Sequence, residues 1–157
     1  MKTTYYSASM ELSIPSELGY EVIARDAVAA FALRMGFTHE RVEDLKTALS
    51  EACINAIEHG NMLAPNLRVN VACMCDNDRL LVEIHDQGLK HHTPAQMPLS
   101  MADKLAGLGS MRGMGLLLIG QLMDEAGFDP NSPDGNRFHL TLYRQHTVEH
   151  VPSQRTE

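Results

Sequence analysis

Residues 39–59, HERVEDLKTALSEACINAIEH, carry the pattern that most restricts what this chain can become. At about 100 degrees per residue, Leu45, Leu49, Ala52, Cys53 and Ala56 fall on one stripe, as in a helix laid against a core. Along the edge of that stripe stand Glu51, Asn55 and His59, at i, i+4 and i+8. A row there is neither in solvent nor in the core; it belongs where a helix borders a cleft. Charged rows are ordinarily solvated helix edges. Asn55 resists that reading, because asparagine is a mediocre helix former and no cap or turn falls there.

The rest of the chain supplies a sheet for this helix to cover. In SMELSIP, Met10, Leu12 and Ile14 alternate with polar neighbours as in a half-buried strand. Pro15 stops it, and Ser16 is expected to cap a helix running to about Met35. Gly36 ends that helix and Thr38 caps the next. Two strands follow, NLRVNVACMC and RLLVEIHD, joined by the polar turn DND. Residues 87–112 contain prolines and no clear period, as lids and binding loops do. A helix is expected over GMGLLLIGQLMDEAG, then a loop and a last strand, RFHLTLYR, with Phe138, Leu140 and Leu142 inward. No repeat or linker divides the chain. The order predicts an α/β two-layer sandwich, with helices on one face of a mixed, mostly antiparallel sheet. It forms a single domain over residues 1–157, with its core at about 8–145.

Composition narrows the function. The 157 residues suffice for one domain, and 44% apolar with 21% charged is a globular balance. No run approaches the roughly 18–20 apolar residues of a membrane helix. The N-terminus lacks an apolar signal core, so no membrane partner and a cytoplasmic location are expected. The formal charge is −7, and Lys and Arg do not cluster, which argues against direct nucleic-acid binding and for protein or small-molecule partners. Of three cysteines, Cys73 and Cys75 lie two apart in a strand, with His91 and His92 downstream. That spacing matches no standard zinc pattern, so the thiols are read as buried structural groups.

Two further stretches bear on chemistry. In LVEIHDQG, Asp86 ends an apolar strand and Gly88 permits close backbone approach, which suits a hydrogen bond to a ligand amine. In GLGSMRGMGLLLIGQLMDE, Gly107, Gly109, Gly113 and Gly115 gather before an apolar helix, an arrangement suited to an anion at a helix N-terminus. No G-K-[ST] follows and no strand directly precedes it, so neither a Walker nor a Rossmann motif is present.

Taken together, EACINAIEHGN, DQG and RGMGLLLI…LMDE resemble the N, G1 and G2 boxes of the GHKL (Bergerat-fold) ATPases, the superfamily of gyrase B and sensor histidine kinases. Within it, DLKTALSEACINAIEHGN resembles the anti-sigma-factor serine/threonine kinases of bacterial partner-switching systems. The likeness runs from about Met10 to Tyr143.

The resemblance implies ATP and Mg²⁺ as cofactors. Asn55 would hold the Mg²⁺ ion, and Glu51 would be the catalytic base or orienter for a partner's hydroxyl. Asp86 would accept from the adenine amine, with Gly88 letting the base lie close. Gly113, Gly115 and the amides before Leu116 would cradle phosphates, and Arg112 and Lys104 would neutralise their charge. His59, at the end of the N box, joins the nucleotide-binding set. The implied partners are a STAS-domain antagonist, which the kinase phosphorylates, and a sigma factor or other regulatory client. Relatives are often dimers, and an outward Ile54 fits a homodimer contact. The alternatives are an ATP-gated binding switch with weak or no phosphotransfer, and a detached histidine-kinase-like ATPase domain. The last ranks lowest, because no phosphoacceptor-helix pair precedes the N box. The chain differs from common family wording in DQGLKHH and in GNRF, where Asn136 replaces a threonine.

Overall fold

The computed structural model describes residues 7–88 and 111–145. In chain order these form β1 (Ala8–Pro15), α1 (Tyr20–Arg34), α2 (His39–Asn55), a π-helical turn (Ala56–Gly60), β2 (Arg68–Cys75), β3 (Arg79–His85), α3 (Met111–Leu122), β4 (Glu125–Phe128) and β5 (Arg137–Tyr143). The strands lie in the order β1-β2-β3-β5-β4. All four described pairings are antiparallel, so the expected sandwich stands and its sheet is not mixed among these strands.

One register row runs across the whole sheet: Leu12, Val71, Ile84, Phe138 and Phe128. Strand residues alternate faces, so this row and its neighbours point inward together. The helices cover them. Leu45, Leu49, Ala52 and Cys53 of α2, Val28 of α1 and Ile119 of α3 are all buried against the sheet. Each fully buried aliphatic side chain contributes about 1.5–3 kcal/mol relative to exposure. Cys53, Cys73 and Cys75 are buried in this layer. Burial pushes the Cys53 and Cys73 thiols up to about 12, so both stay protonated and inert at neutral pH. Among the described residues no group of three or more His, Cys, Asp or Glu is placed to hold a metal ion. Nor is any described helix long and apolar enough to cross a membrane.

Several boundaries differ from those expected. Ser16 does not cap α1; it is buried, its hydroxyl has no partner, and its N–H donates to Leu67 O at 3.2 Å. That bond prolongs the β1–β2 contact by one residue, so the chain leaves the sheet later and α1 starts at Tyr20. Gly19, at φ 107°, makes the turn, and its N–H donates to the Glu21 carboxylate at 2.6 Å. Thr38 does cap α2, accepting from the Arg41 N–H at 3.3 Å. α3 spans Met111–Leu122 rather than 113–127. Its end is fixed by Arg41, which donates to Leu122 O at 3.2 Å and pairs with Asp44 and Asp124. Glu125–Phe128 then pairs with β5, and the Phe128 ring meets Phe138 edge-on at 4.8 Å. Pairing with β5, the next strand along the chain, overrides the local helical pattern. Of the expected lid at 89–112, residues 89–110, with Lys104, lie outside the described residues.

Candidate functional site

Four elements converge at one end of the helix layer: the C-terminal part of α2 with its π-helical turn, the end of β3, the start of β5, and α3. The predicted helix to His59 becomes π-helical at Ala56, where the Asn61 N–H donates to Ala56 O at 2.8 Å. π turns are held by tertiary contacts and recur at functional sites. Here the anchor is Asn61, which is 1% exposed. Its Nδ2 donates to Arg68 O at 3.0 Å, and its Oδ1 accepts from the Gln87 N–H at 2.8 Å. One asparagine thus ties the helix end to the segment Asp86-Gln87-Gly88.

Asp86 sits inside that knot, 3% exposed. Its Oδ1 accepts from the Asn136 N–H at 2.9 Å, the Gly88 N–H at 3.1 Å and Asn136 Nδ2 at 3.1 Å. Its Oδ2 accepts from the same Nδ2 at 3.2 Å. A buried carboxylate needs such donors. The surrounding backbone comes too close for side chains. A Cβ on Gly60 would lie 1.9 Å from Asp86 Oδ2, and one on Gly88 would lie 1.6 Å from Gly60 O. Gly135, at φ 60°, would place one 2.0 Å from Asp86 O. Gly88→Ala is therefore expected to lower stability by about 3 kcal/mol or more, because backbone must move against backbone. Urea unfolding with a midpoint near wild type would show that the loop yields freely.

The second half of the site lies on α2, ahead of the π-helical turn. Glu51 and Asn55 are half-buried, as a row bordering a cleft should be. Gly115 of α3 faces them: a Cβ there would lie 2.8 Å from Glu51 Oε2 and 3.9 Å from Asn55 Nδ2. The missing side chain lets α3 approach both residues. Asn55 Nδ2 is buried without a hydrogen-bond partner. Such a group costs about 1–3 kcal/mol and points to a partner outside the chain.

Asn55, Asp86, Leu116 and Asn136 line one cleft with Ile84 and Phe138. Its side chains close on one another and leave about 10 Å³. That is room for about one water, so a base would enter by displacing the side chains that form the walls. Gly113 and Arg112 fall in the first turn of α3. His59 stands apart from the cleft-lining residues: its side chain is 39% exposed, and Glu58 lies 3.8 Å away. Sequence reasoning did not find the anchoring roles of Asn61 and Asn136. Their partners lie on other elements, and an asparagine beside a glycine otherwise reads as a turn.

Comparison with known proteins fits this geometry. A family model described as the histidine kinase-like ATPase domain matches residues 14–142, and the chain belongs to that family. Serine-protein kinase RsbW of Bacillus velezensis is 37% identical over 134 residues, covering 78% of this chain and 79% of that protein. RsbW of Bacillus subtilis is 35% identical over 127 residues, 74% of each. The Anti-sigma F factor of a Thermoanaerobacter species is 30% identical over 140 residues, covering 88% of this chain and 95% of its own. Within the family the chain stands with the RsbW serine-protein kinases and anti-sigma factors, and it is an ATP-dependent serine/threonine protein kinase. The solved structure of the RsbU and RsbW domains of Rv1364c from Mycobacterium tuberculosis shares the fold. Its TM-score is 0.58 at 18% identity, over 88% of this chain and 34% of that one.

Proposed function

We propose that the chain is a Mg-ATP-dependent kinase that phosphorylates a STAS-type antagonist and, as an anti-sigma factor, holds a sigma factor or similar client when the antagonist is phosphorylated. The observation that carries this reading is the buried, unpartnered amide of Asn55 beside the Glu51 carboxylate, both opposite Gly115. Two carboxylates at this site, Glu51 and Asp86, disfavour a bare polyphosphate and favour one screened by a divalent cation. Rotating the Asn55 amide by half a turn exchanges nitrogen for oxygen, the neutral hard ligand that Mg²⁺ takes.

Each residue then has a task. Asp86 holds the base amine, Asn55 the cation, and the first turn of α3 with Gly113 and Gly115 receives the phosphates. The bound nucleotide supplies the phosphoryl group. Glu51 accepts the proton of the partner's serine or threonine hydroxyl as its oxygen bonds to the γ-phosphorus, and the bond to the β-phosphate oxygen breaks to release ADP. The test is transfer of radiolabel from γ-labelled ATP to a purified STAS-domain antagonist from the same organism. Labelled antagonist is expected. ATP binding with no transfer to that protein would identify a binding switch instead.

A further inference from the structure

We infer that Arg41 is a positioning residue of this kinase: it sets where α3 lies along α2, and so holds the phosphate-receiving turn of α3 against Glu51 and Asn55. The inference rests on the roles proposed above for those residues and deepens them. Two contacts define how the helices meet. At one, Gly115 of α3 faces Glu51 and Asn55. At the other, Arg41 in the first turn of α2 holds the end of α3, its Nη1 donating to Leu122 O at 3.2 Å. The two helices therefore run antiparallel, with the site at one end of their contact and Arg41 at the other.

The Gly115 end tolerates little displacement. A Cβ there would lie 2.8 Å from Glu51 Oε2, and its neighbours Met114 and Leu116 both carry side chains. Moving α3 by one position would press one of them on the carboxylate. The apolar side of α3 does not by itself prevent this. Ile119 and Met123 are buried, but apolar contact has no preferred direction. Arg41 supplies the direction. Its Nη1 also donates to Asp44 Oδ2 at 2.9 Å, and its Nη2 donates to Asp124 Oδ2 at 3.2 Å. Asp124 is held in turn by β5: its N–H donates to Thr141 O at 3.1 Å, and its Oδ2 accepts from the Tyr143 N–H at 2.8 Å. The link is thus rooted at one end in the helix that carries Glu51 and at the other in the sheet. Seven residues, about 10 Å of helix axis, separate Leu122 from Gly115. A hydrogen-bonded helix is stiff over that length, so what is held at Leu122 is set at Gly115. A planar fork that reaches three acceptors is what arginine offers and lysine does not.

Single-turnover transfer to a purified STAS-domain antagonist, at saturating ATP and well below the melting temperature, tests this on the full chain. Arg41→Met keeps the side-chain stem and loses the fork. It is expected to transfer phosphate about tenfold to a hundredfold more slowly than wild type, since a misplacement of about 1 Å suffices for such a loss. Arg41→Lys should recover part of that rate at most. Val28→Ala, a cavity in the buried face of α1, is the comparison: it lowers the melting temperature and should leave the saturated rate unchanged. A wild-type rate in Arg41→Met, or in Arg41→Lys if the methionine variant folds poorly, overturns the inference. So does a rate in Val28→Ala that falls as far, because the loss would then follow stability alone. Absence of any transfer by wild type would instead overturn the substrate reading on which the inference rests.

Discussion

Glu51→Ala binds ATP as wild type does and transfers phosphate to the antagonist about 10²- to 10⁴-fold more slowly, the span typical of a lost general base. The expectation comes from where the carboxylate is held. Glu51 is half-buried on α2, and its Oε2 occupies the space that a Cβ on Gly115 would need. The absence of a side chain at Gly115 leaves the carboxylate room against α3, where the phosphates are expected, so the proton acceptor is near the transfer site before the partner protein arrives. Glu51→Gln keeps that shape and loses the ability to take a proton, so it should fall as far as alanine. Single-turnover transfer with labelled ATP, beside a binding isotherm for each variant, separates the two effects. Transfer undiminished in either variant removes Glu51 from the reaction.

Asn55→Ala is expected to erase the thermal stabilisation that Mg-ATP gives the wild type. At about a hundredfold excess over Kd a ligand adds about 2.7 kcal/mol. For a chain of this length that is roughly 5–10 °C in Tm. Without nucleotide, the variant should melt at the wild-type temperature or above it. Its deleted Nδ2 is buried and makes no hydrogen bond, and alanine is the better helix former. A structural asparagine would behave in the opposite way, costing stability in the free protein. Thermal melts with and without Mg-ATP therefore distinguish a ligand-binding residue from a structural one. A full nucleotide shift retained by Asn55→Ala sinks the assignment.

The sequence revealed the elements whose signal is local. Leu45, Leu49, Ala52 and Cys53 are buried as their spacing requires, and the Glu51 and Asn55 edge is half-buried. Thr38 caps α2 because threonine before a helix needs only its own first turn. What stayed hidden is non-local. The π-helical turn exists because Asn61 bonds to Arg68 O and to the Gln87 N–H, and nothing within Ala56–Gly60 announces it. β4 has four residues and owes its conformation to β5. Asn136 reads locally as the end of a turn, yet it donates to a carboxylate 50 positions earlier. Ser16 has the sequence of a cap, but the bond from its N–H to Leu67 O keeps it in the sheet, and that partner lies 51 positions away.

The three glycines around Asp86 bear on how this kinase can be re-engineered. Enzymes are commonly made to accept enlarged nucleotides by trimming a side chain that touches the base. Gly60, Gly88 and Gly135 press bare main chain on Asp86, and the Asn136 side chain that touches it is tied to its carboxylate, so trimming there costs the site its order. Among the described lining residues, Leu116, Phe128 and Phe138 have large side chains whose atoms can be removed without breaking the Asp86 hydrogen bonds. A bulky tag intended for a modified version of this protein therefore belongs on the part of the base that faces those three residues.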